Sequence, residues 1–294
     1  MTRPSSVLLT KILATVGPAC EDPHTLDRLI EEGVRVFRLN FSHGALTEHE
    51  ARLNAIRQAS ERAGIPVGVL GDLSGPKIRV GKVREGGIFL AVGDQIEFQR
   101  QPMIAGQDAP KNPPGSGATV FSCTYPQLVD EVEPGHRMLI DDGAIRLLAV
   151  DKVGTGDDRR LICNVTVGGL VTSSKGINLP ETDLSLPSLT DKDLMCVDWA
   201  VQKDLDFLAL SFVRTASDIQ LLKELLTTKR KGTDTVIPVV AKIEMPAAVE
   251  NLEAIVEVSE AVMVARGDLG VEMDLARVPV IQKKIDRKST RLNS

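Results

Sequence analysis

VIPVVAKIEMPAAVENLEAIVEVSEAVMVARGDLG (residues 236–270) holds two apolar strands on either side of a helical run from Met245 to about Ser259. The first strand ends in Lys242 and Glu244, the second in Arg266 and Asp268. Side chains alternate along a strand, so Lys242 and Glu244 share one face. Burying a lysine and a carboxylate at the end of an apolar strand is unfavourable unless a partner or a ligand sits there. The chain around this stretch reads as a supplier of neighbours to that site.

Towards the N-terminus the order is strand, helix, strand, helix, strand. Leu8–Val16 is strand-like and closes at Gly17-Pro18. Asp22-Pro23 opens a helix with Leu26, Leu29 and Ile30 on one face, stopped by Gly33. VRVFRLNFS (34–42) is a second strand, Thr47 to Ala63 a long helix, and VGVLGDL (67–73) a third strand. Short turns between such elements predict right-handed parallel crossovers. Apolar residues on both faces of the strands predict helices covering the sheet.

The rhythm changes after Gly75. From Lys77 to Leu186 short β-type runs alternate with Gly, Pro and Asp turns, and 106–117 is a Pro/Gly-rich loop. This predicts a separate antiparallel β domain inserted after the third strand. Helix and strand resume at Leu189, with a helix over Asp191–Lys203, a strand over 205–213 and a helix over Ser217–Lys229. Six βα units divided three and three by an insertion predict a (β/α)8 barrel lacking two units; a doubly wound sheet is the competing reading. The expected domains are 1–74 with 186–285 as the partial barrel and 75–185 as the insertion. The stretch 286–294, polar and basic without pattern, is expected to be a non-native tail.

With 294 residues, 43% hydrophobic and 26% charged, the chain has ample core-forming material. A net charge of −5 and 3% aromatic residues argue against a nucleic-acid partner. Apolar runs fall short of the roughly 18 residues of a membrane span, and the N-terminus has too short an apolar segment for a secretory signal. The four cysteines are scattered, which fits a reduced, cytoplasmic chain better than a disulfide or zinc framework.

In a parallel barrel, adjacent strand ends meet at one face, where active sites are built. Glu244 and Asp268 are then candidate ligands for one Mg2+, and Lys242 is placed to put positive charge on a reacting oxygen. The alternative is a buried Lys–Glu pair with a helix-capping aspartate. On the second strand Arg38, Asn40 and Ser42 are spaced by two. Arg38 suits a phosphate. Asn40 and Ser42, with Asp72 from the third strand, offer oxygens to a hard cation, or make an ordinary hydrogen-bonded strand end. RGDLG (266–270) could offer free N–H groups at a helix start. Lys175-Gly176 at the edge of the insertion could reach a phosphate or be solvated, and His43 beside Gly44 reads first as a turn histidine. The chain has no GxxxxGK[ST] loop, so a nucleotide would not be held in the P-loop manner.

TKILATVGP (10–18), RLNFSHG (38–44), GDLSGPKIR (71–79), KGINLP (175–180), LTDKD (189–193), LSFVR (210–214), KIE (242–244) and VARGDLGVE (264–272) together closely resemble the pyruvate kinase family, in order, over about Leu8 to Lys284. The resemblance implies a (β/α)8 barrel with a β-barrel lid inserted after the third strand. It also implies phosphoryl transfer from phosphoenolpyruvate to ADP, giving pyruvate and ATP in glycolysis. By position it implies that Lys242 stabilises the transferring group and the enolate, and that Glu244 and Asp268 bind Mg2+ or Mn2+. Arg38 would hold the substrate phosphate, and backbone near Gly267 and Asp268 its carboxylate. Arg79, Lys175 and His43 fall on the nucleotide side. Lys77 stands where many members carry a glutamate, and Leu73-Ser74 where they carry Thr-Lys. A lysine there marks the K+-independent branch, its ammonium replacing the monovalent cation of the Asn40, Ser42 and Asp72 pocket. K+ is therefore expected not to be required. The family continues beyond this chain and its longer form is expected to be a homotetramer, so this piece alone is expected to be unstable and inactive. A Mg2+-dependent lyase of the phosphoenolpyruvate/pyruvate barrel type is the alternative function.

Overall fold

The computed structural model describes residues 10–107, 118–229 and 236–292. The expected strand residues Leu8 and Leu9 and most of the 106–117 loop lie outside them. The first half of the barrel runs β1 (Ile12–Thr15), α1 (Pro23–Glu31), β2 (Val34–Asn40), α2 (Leu46–Ala63) and β3 (Gly68–Asp72). Asp22 caps α1 by accepting from the Thr25 N–H at 3.0 Å, which fixes the turn read from Asp22-Pro23. Gly64 ends α2 in the left-handed conformation, φ 62°.

The insertion follows as β4 (Lys82–Val83), β5 (Ile88–Leu90), β6 (Gln95–Gln99), β7 (Ile104–Ala105), β8 (Thr119–Ser122), a short α3 (Leu128–Glu131), β9 (Arg137–Ile140), β10 (Ile145–Val153), β11 (Arg160–Val167), β12 (Gly169–Val171) and β13 (Ile177–Asn178). Its main sheet has the order β13-β9-β10-β11-β6-β8, with the two-stranded sheets β12-β5 and β4-β7 beside it. The pairings are antiparallel as expected, except that β6–β8 and β4–β7 are parallel. Joining those pairs requires the chain to cross the domain, which short turns cannot do. The insertion closes around its own core, including Phe98, Phe121, Leu128, Met138, Leu147 and Leu161.

The second half runs α4 (Asp191–Gln202), β14 (Phe207–Leu210), α5 (Ala216–Lys229), β15 (Val239–Ile243), α6 (Pro246–Glu250), α7 (Leu252–Val258), β16 (Ala261–Val264), α8 (Arg266–Glu272) and α9 (Val278–Leu292). The single helix expected over 245–259 is thus two. Asn251 lies between them and spends its side-chain amide on the Arg214 and Ala247 carbonyls. The stretch expected to be a tail carries the last turns of α9.

Six strands form one sheet in the order β1-β2-β3-β14-β15-β16, every neighbouring pair parallel. This is a (β/α) barrel wall left open between β1 and β16, and it excludes the doubly wound order. The large core lies between the sheet and its helices, with Phe37, Leu39, Leu53, Ile56, Leu208 and Val239 fully buried. The inner face is sparser: Leu70, Ala209 and Val240, with Val36, Phe207 and Met263 packed on them. Because strand side chains repeat every second residue, the next inward layer is 38, 72, 211 and 242. Four strands carry a polar residue there, Arg38, Asp72, Ser211 and Lys242; beyond Met263 the fifth position is Ala265.

Two clamps fix the insertion to the barrel. Thr190 and Asp193 form a capping box at the start of α4. The second oxygen of Asp193 accepts from the Gly75 N–H at 3.3 Å. Gly75 has φ +64°, and a Cβ there would lie 2.7 Å from the Phe212 ring, so glycine is needed on both counts. Arg214 donates to the Leu184 and Leu186 carbonyls, each at 2.6 Å, and so holds the returning chain.

Candidate active site

Strand ends converge at the C-terminal edge of the barrel sheet. Asp72, 1% exposed, is the hub. Arg38 Nε donates to its Oδ2 at 2.6 Å, and a second guanidinium nitrogen reaches the same oxygen at 2.5 Å. A further Arg38 nitrogen donates to Thr15 Oγ1 at 3.0 Å. Lys242 Nζ lies 2.7 Å from Glu244 Oε1, 2.8 Å from Ser211 Oγ and 3.3 Å from Asp72 Oδ2. Five strands therefore contribute to one network. The sequence marks Arg38, Asp72, Lys242 and Glu244; it misses Thr15 and Ser211. Ser211 carries the same signal as the others, a polar residue two positions beyond the inward-facing Ala209.

Burial works against the Lys242 charge, but the Glu244 and Asp72 carboxylates outweigh it and its pKa is raised. Lys242 therefore stays an ammonium at neutral pH. Burial raises the pKa of Glu244, Lys242 and the Phe212 N–H oppose that rise, and the nearby charge of Asp268 adds to it. The Phe212 N–H donates to Glu244 Oε2 at 2.8 Å. Phe212 does so at φ +55°, a left-handed conformation costing a non-glycine residue about 1–3 kcal/mol.

Asp268 is not at a strand end, as expected from sequence, but in the first turn of α8. Its carboxylate makes no hydrogen bond or ion pair among the described residues, yet its charge raises the pKa of both Glu244 and Glu272. Two carboxylates close enough for their charges to interact suit a small divalent cation, which takes few protein oxygens and completes its shell with substrate and water. No cluster of three His, Cys, Asp or Glu that could hold a metal ion occurs among the described residues. Gly267 lies in the same first turn, exposed, where helical N–H groups lack a partner within the helix.

The nucleotide-side candidates split. Ser42, Ser74, Gly75, Lys77, Arg79, Thr190 and Lys192 line one cavity of about 170 Å3. Arg79 donates to the Ser174 carbonyl at 2.9 Å. Lys175 lies across the insertion on Asp141 at 2.9 Å. The Lys77 ammonium lies 3.6 Å from Asp142, so one acidic turn receives both lysines. Asp72 is held instead by Arg38 and Lys242, and Asn40 Oδ1 accepts from the Ser42 N–H at 3.1 Å. Of the three residues of the expected monovalent pocket, Asn40 and Ser42 thus bond each other while Asp72 belongs to the Arg38–Lys242 network. His43 is exposed on the loop after β2, and its carbonyl bonds the His49 ring at 2.9 Å. Lys192, which the sequence reading did not single out, lines the same cavity from the first turn of α4, where a cation opposes the helix macrodipole.

A parallel (β/α) barrel wall with a lysine, an arginine and acidic groups at its C-terminal edge, and a β domain inserted after β3, defines the class as an incomplete (β/α) barrel carrying an inserted β domain. The family model described as "Pyruvate kinase, barrel domain" matches residues 8–294. "Pyruvate kinase" of Corynebacterium efficiens is 39% identical over 275 residues, 94% of this chain and 54% of that protein. "Pyruvate kinase 2" of Synechocystis is 41% identical over 285 residues, 96% of this chain and 45% of that protein. The crystal structure of a pyruvate kinase from Cryptosporidium parvum superimposes with a TM-score of 0.83 at 34% identity, covering 95% of this chain and 55% of that one. The chain belongs to the pyruvate kinase family, and it spans about half the length of the curated relatives it matches. No helix among the described residues is long and apolar enough to cross a membrane.

Proposed function

We propose that this chain carries the phosphoenolpyruvate and metal half-site of a pyruvate kinase, which moves a phosphoryl group from the enol oxygen of phosphoenolpyruvate to ADP. The observation that carries this reading is the Arg38–Asp72–Lys242–Glu244 network with Asp268 beside it. Little covalent chemistry falls to the protein in such a transfer; positioning and charge neutralisation do the rest. Lys242, held as an ammonium, donates N–H bonds to the bridging oxygen as it becomes an enolate. Arg38 turns its guanidinium to the substrate phosphate, which replaces part of its contact with Asp72. The first-turn amides of α8 at Gly267 and Asp268 receive the substrate carboxylate. Arg79 and Lys192 face the nucleotide phosphates, and Lys175 and His43 stand at that rim. Glu244 and Asp268 would hold a Mg2+, which would supply charge neutralisation on the substrate oxygens. The enolate left behind takes a proton on carbon to become pyruvate.

Lys77, in this reading, supplies the fixed positive charge that makes K+ unnecessary, released from Asp142 when the anionic nucleotide binds. The longer protein is carried as a homotetramer. The test is pyruvate formation followed by a coupled assay with phosphoenolpyruvate, ADP and Mg2+, on this chain and on the gene extended past Ile285. ADP-dependent pyruvate from the extended protein, without K+, is the expected result. A strong K+ requirement would remove the role given to Lys77. Activity on a hydroxy acid without nucleotide would replace the kinase by the lyase.

A further inference from the structure

KGINLP and VARGDLGVE each contain a residue that the proposed chemistry does not use, Asn178 and Glu272, and the fold brings the two together. Asn178 ends β13 in the insertion; Glu272 ends α8 on the barrel. They are 8% and 5% exposed. Asn178 Nδ2 donates to Glu272 Oε1 at 2.6 Å. The other atom of each planar group, Asn178 Oδ1 and Glu272 Oε2, is buried without a hydrogen-bond partner.

An ionised carboxylate only accepts, so two bare acceptors on facing groups are unfavourable. One proton on Glu272 resolves both. A carboxylic acid and a primary amide each present one donor and one acceptor side by side, and they close a ring with two hydrogen bonds. We propose that Glu272 and Asn178 form a proton-dependent latch between insertion and barrel, closed as an acid–amide pair when Glu272 is protonated and loosened when it ionises.

The surroundings favour the acid form. Burial raises the Glu272 pKa to about 7, the charges of Asp268 and Glu181 add to the rise, and Asn178 and Arg137 oppose it. Glu181 is itself paired with Arg137 at 2.6 Å. The pair borders a cleft of about 920 Å3, into which Asp142 and Arg146 face from the insertion and Glu250, Asp274, Arg277 and Lys284 from the barrel. The first turn of α8 carries Gly267 and Asp268, and the latch fixes the last residue of that helix. Glu272 is therefore a positioning residue for the metal and carboxylate subsite, a role that rests on the proposed function; the latch itself does not.

The sign follows from linkage. A carboxyl group raised in the folded state adds stability below its ordinary value of 4.5, and loses it as pH rises through about 7. Carbon-13 NMR of the Glu272 carboxyl is expected to titrate near pH 7; a midpoint near 4.5 would overturn the latch. Glu272→Gln keeps the ring as an amide–amide pair without a titrating proton. Its melting temperature should match wild type at about pH 4, exceed it increasingly as pH rises to about 7, and keep that lead at about pH 8; a variant that keeps the wild-type pH slope would overturn the proposal. A cation could also fill two bare oxygens. Magnesium chloride that raises the melting temperature at about pH 8 in wild type and in Glu244→Gln, but not in Glu272→Gln, would replace the latch by a metal site. These readouts need no turnover, so they stand apart from the assay of the proposed function. In the extended protein the positioning role predicts that Glu272→Gln removes the near-neutral limb from the pH profile of kcat/KM; a profile that keeps it would remove that role.

Discussion

Both halves of the molecule bury an ion pair, Lys242–Glu244 at 2.7 Å in the barrel and Arg160–Glu97 at 2.6 Å in the insertion. In the insertion the pair joins neighbouring strands β11 and β6, above a core that closes on itself. In the barrel two cations, Lys242 and Arg38, stand among three carboxylates, Asp72, Glu244 and Asp268, over an inner face with three buried apolar side chains among the described residues. One negative charge is left over there. The insertion pair ties two strands of a sheet with its own core, whereas the barrel network stands at the strand ends and leaves a negative charge for a ligand to complete.

The sharpest way to break this comparison is to remove the charges. Lys242→Met and Arg160→Met should each cost about 3–5 kcal/mol in chemical denaturation, because each leaves buried carboxylates unpaired. The double variants should diverge. Arg160→Met with Glu97→Met should recover most of the stability and keep Mg2+-dependent phosphoenolpyruvate binding in calorimetry. Lys242→Met with Glu244→Met should recover stability and lose binding. Loss of binding in the insertion double variant would end the distinction.

Next in size, Phe37→Ala opens a cavity under the barrel sheet and should cost about 3–5 kcal/mol. If the two cores are separate, amide protection at Leu147 and Cys163 should persist while protection in β2 and β3 falls; joint loss would make them one cooperative unit. Asp193→Ala removes the capping box and the Gly75 contact together, for about 1–2 kcal/mol. Its effect should appear as faster proteolysis at the crossings near 75 and 186 rather than within either core. Smallest is Phe89→Ser. Phe89 is 70% exposed beside Leu170 on β5–β12. Stability should move by no more than about 0.5 kcal/mol, with less aggregation at high concentration.

The parallel barrel was legible because each βα unit declares itself locally, through caps such as Asp22, stops such as Gly33 and Gly64, and apolar runs of strand length. The charged ends of β2, β3 and β15 were legible for the same local reason. What spacing does not carry is which ends meet. Asp72 and Ser211 are 139 residues apart and become neighbours only because β14 pairs with β3 across the insertion. Lys77 turns to Asp142, and Asn178 finds Glu272, through contacts made after the insertion folds back. Phe212 in a left-handed conformation had no sequence signal, since that region belongs to glycine and asparagine by preference. The parallel pairs in the insertion were hidden because a short turn and a chain crossing look alike in composition.

The insertion is attached through two chain segments, and both are gripped: one by Asp193 at Gly75, the other by Arg214 at Leu184 and Leu186. Asn178 on Glu272 is a third hold between the same two bodies, away from either tether. A body held at three places has no hinge line of its own, so the distances of Lys77, Arg79 and Lys175 from the barrel rim are set by the holds together. Asp193 and Arg214 touch none of the candidate ligand groups, yet they help to set where those groups stand.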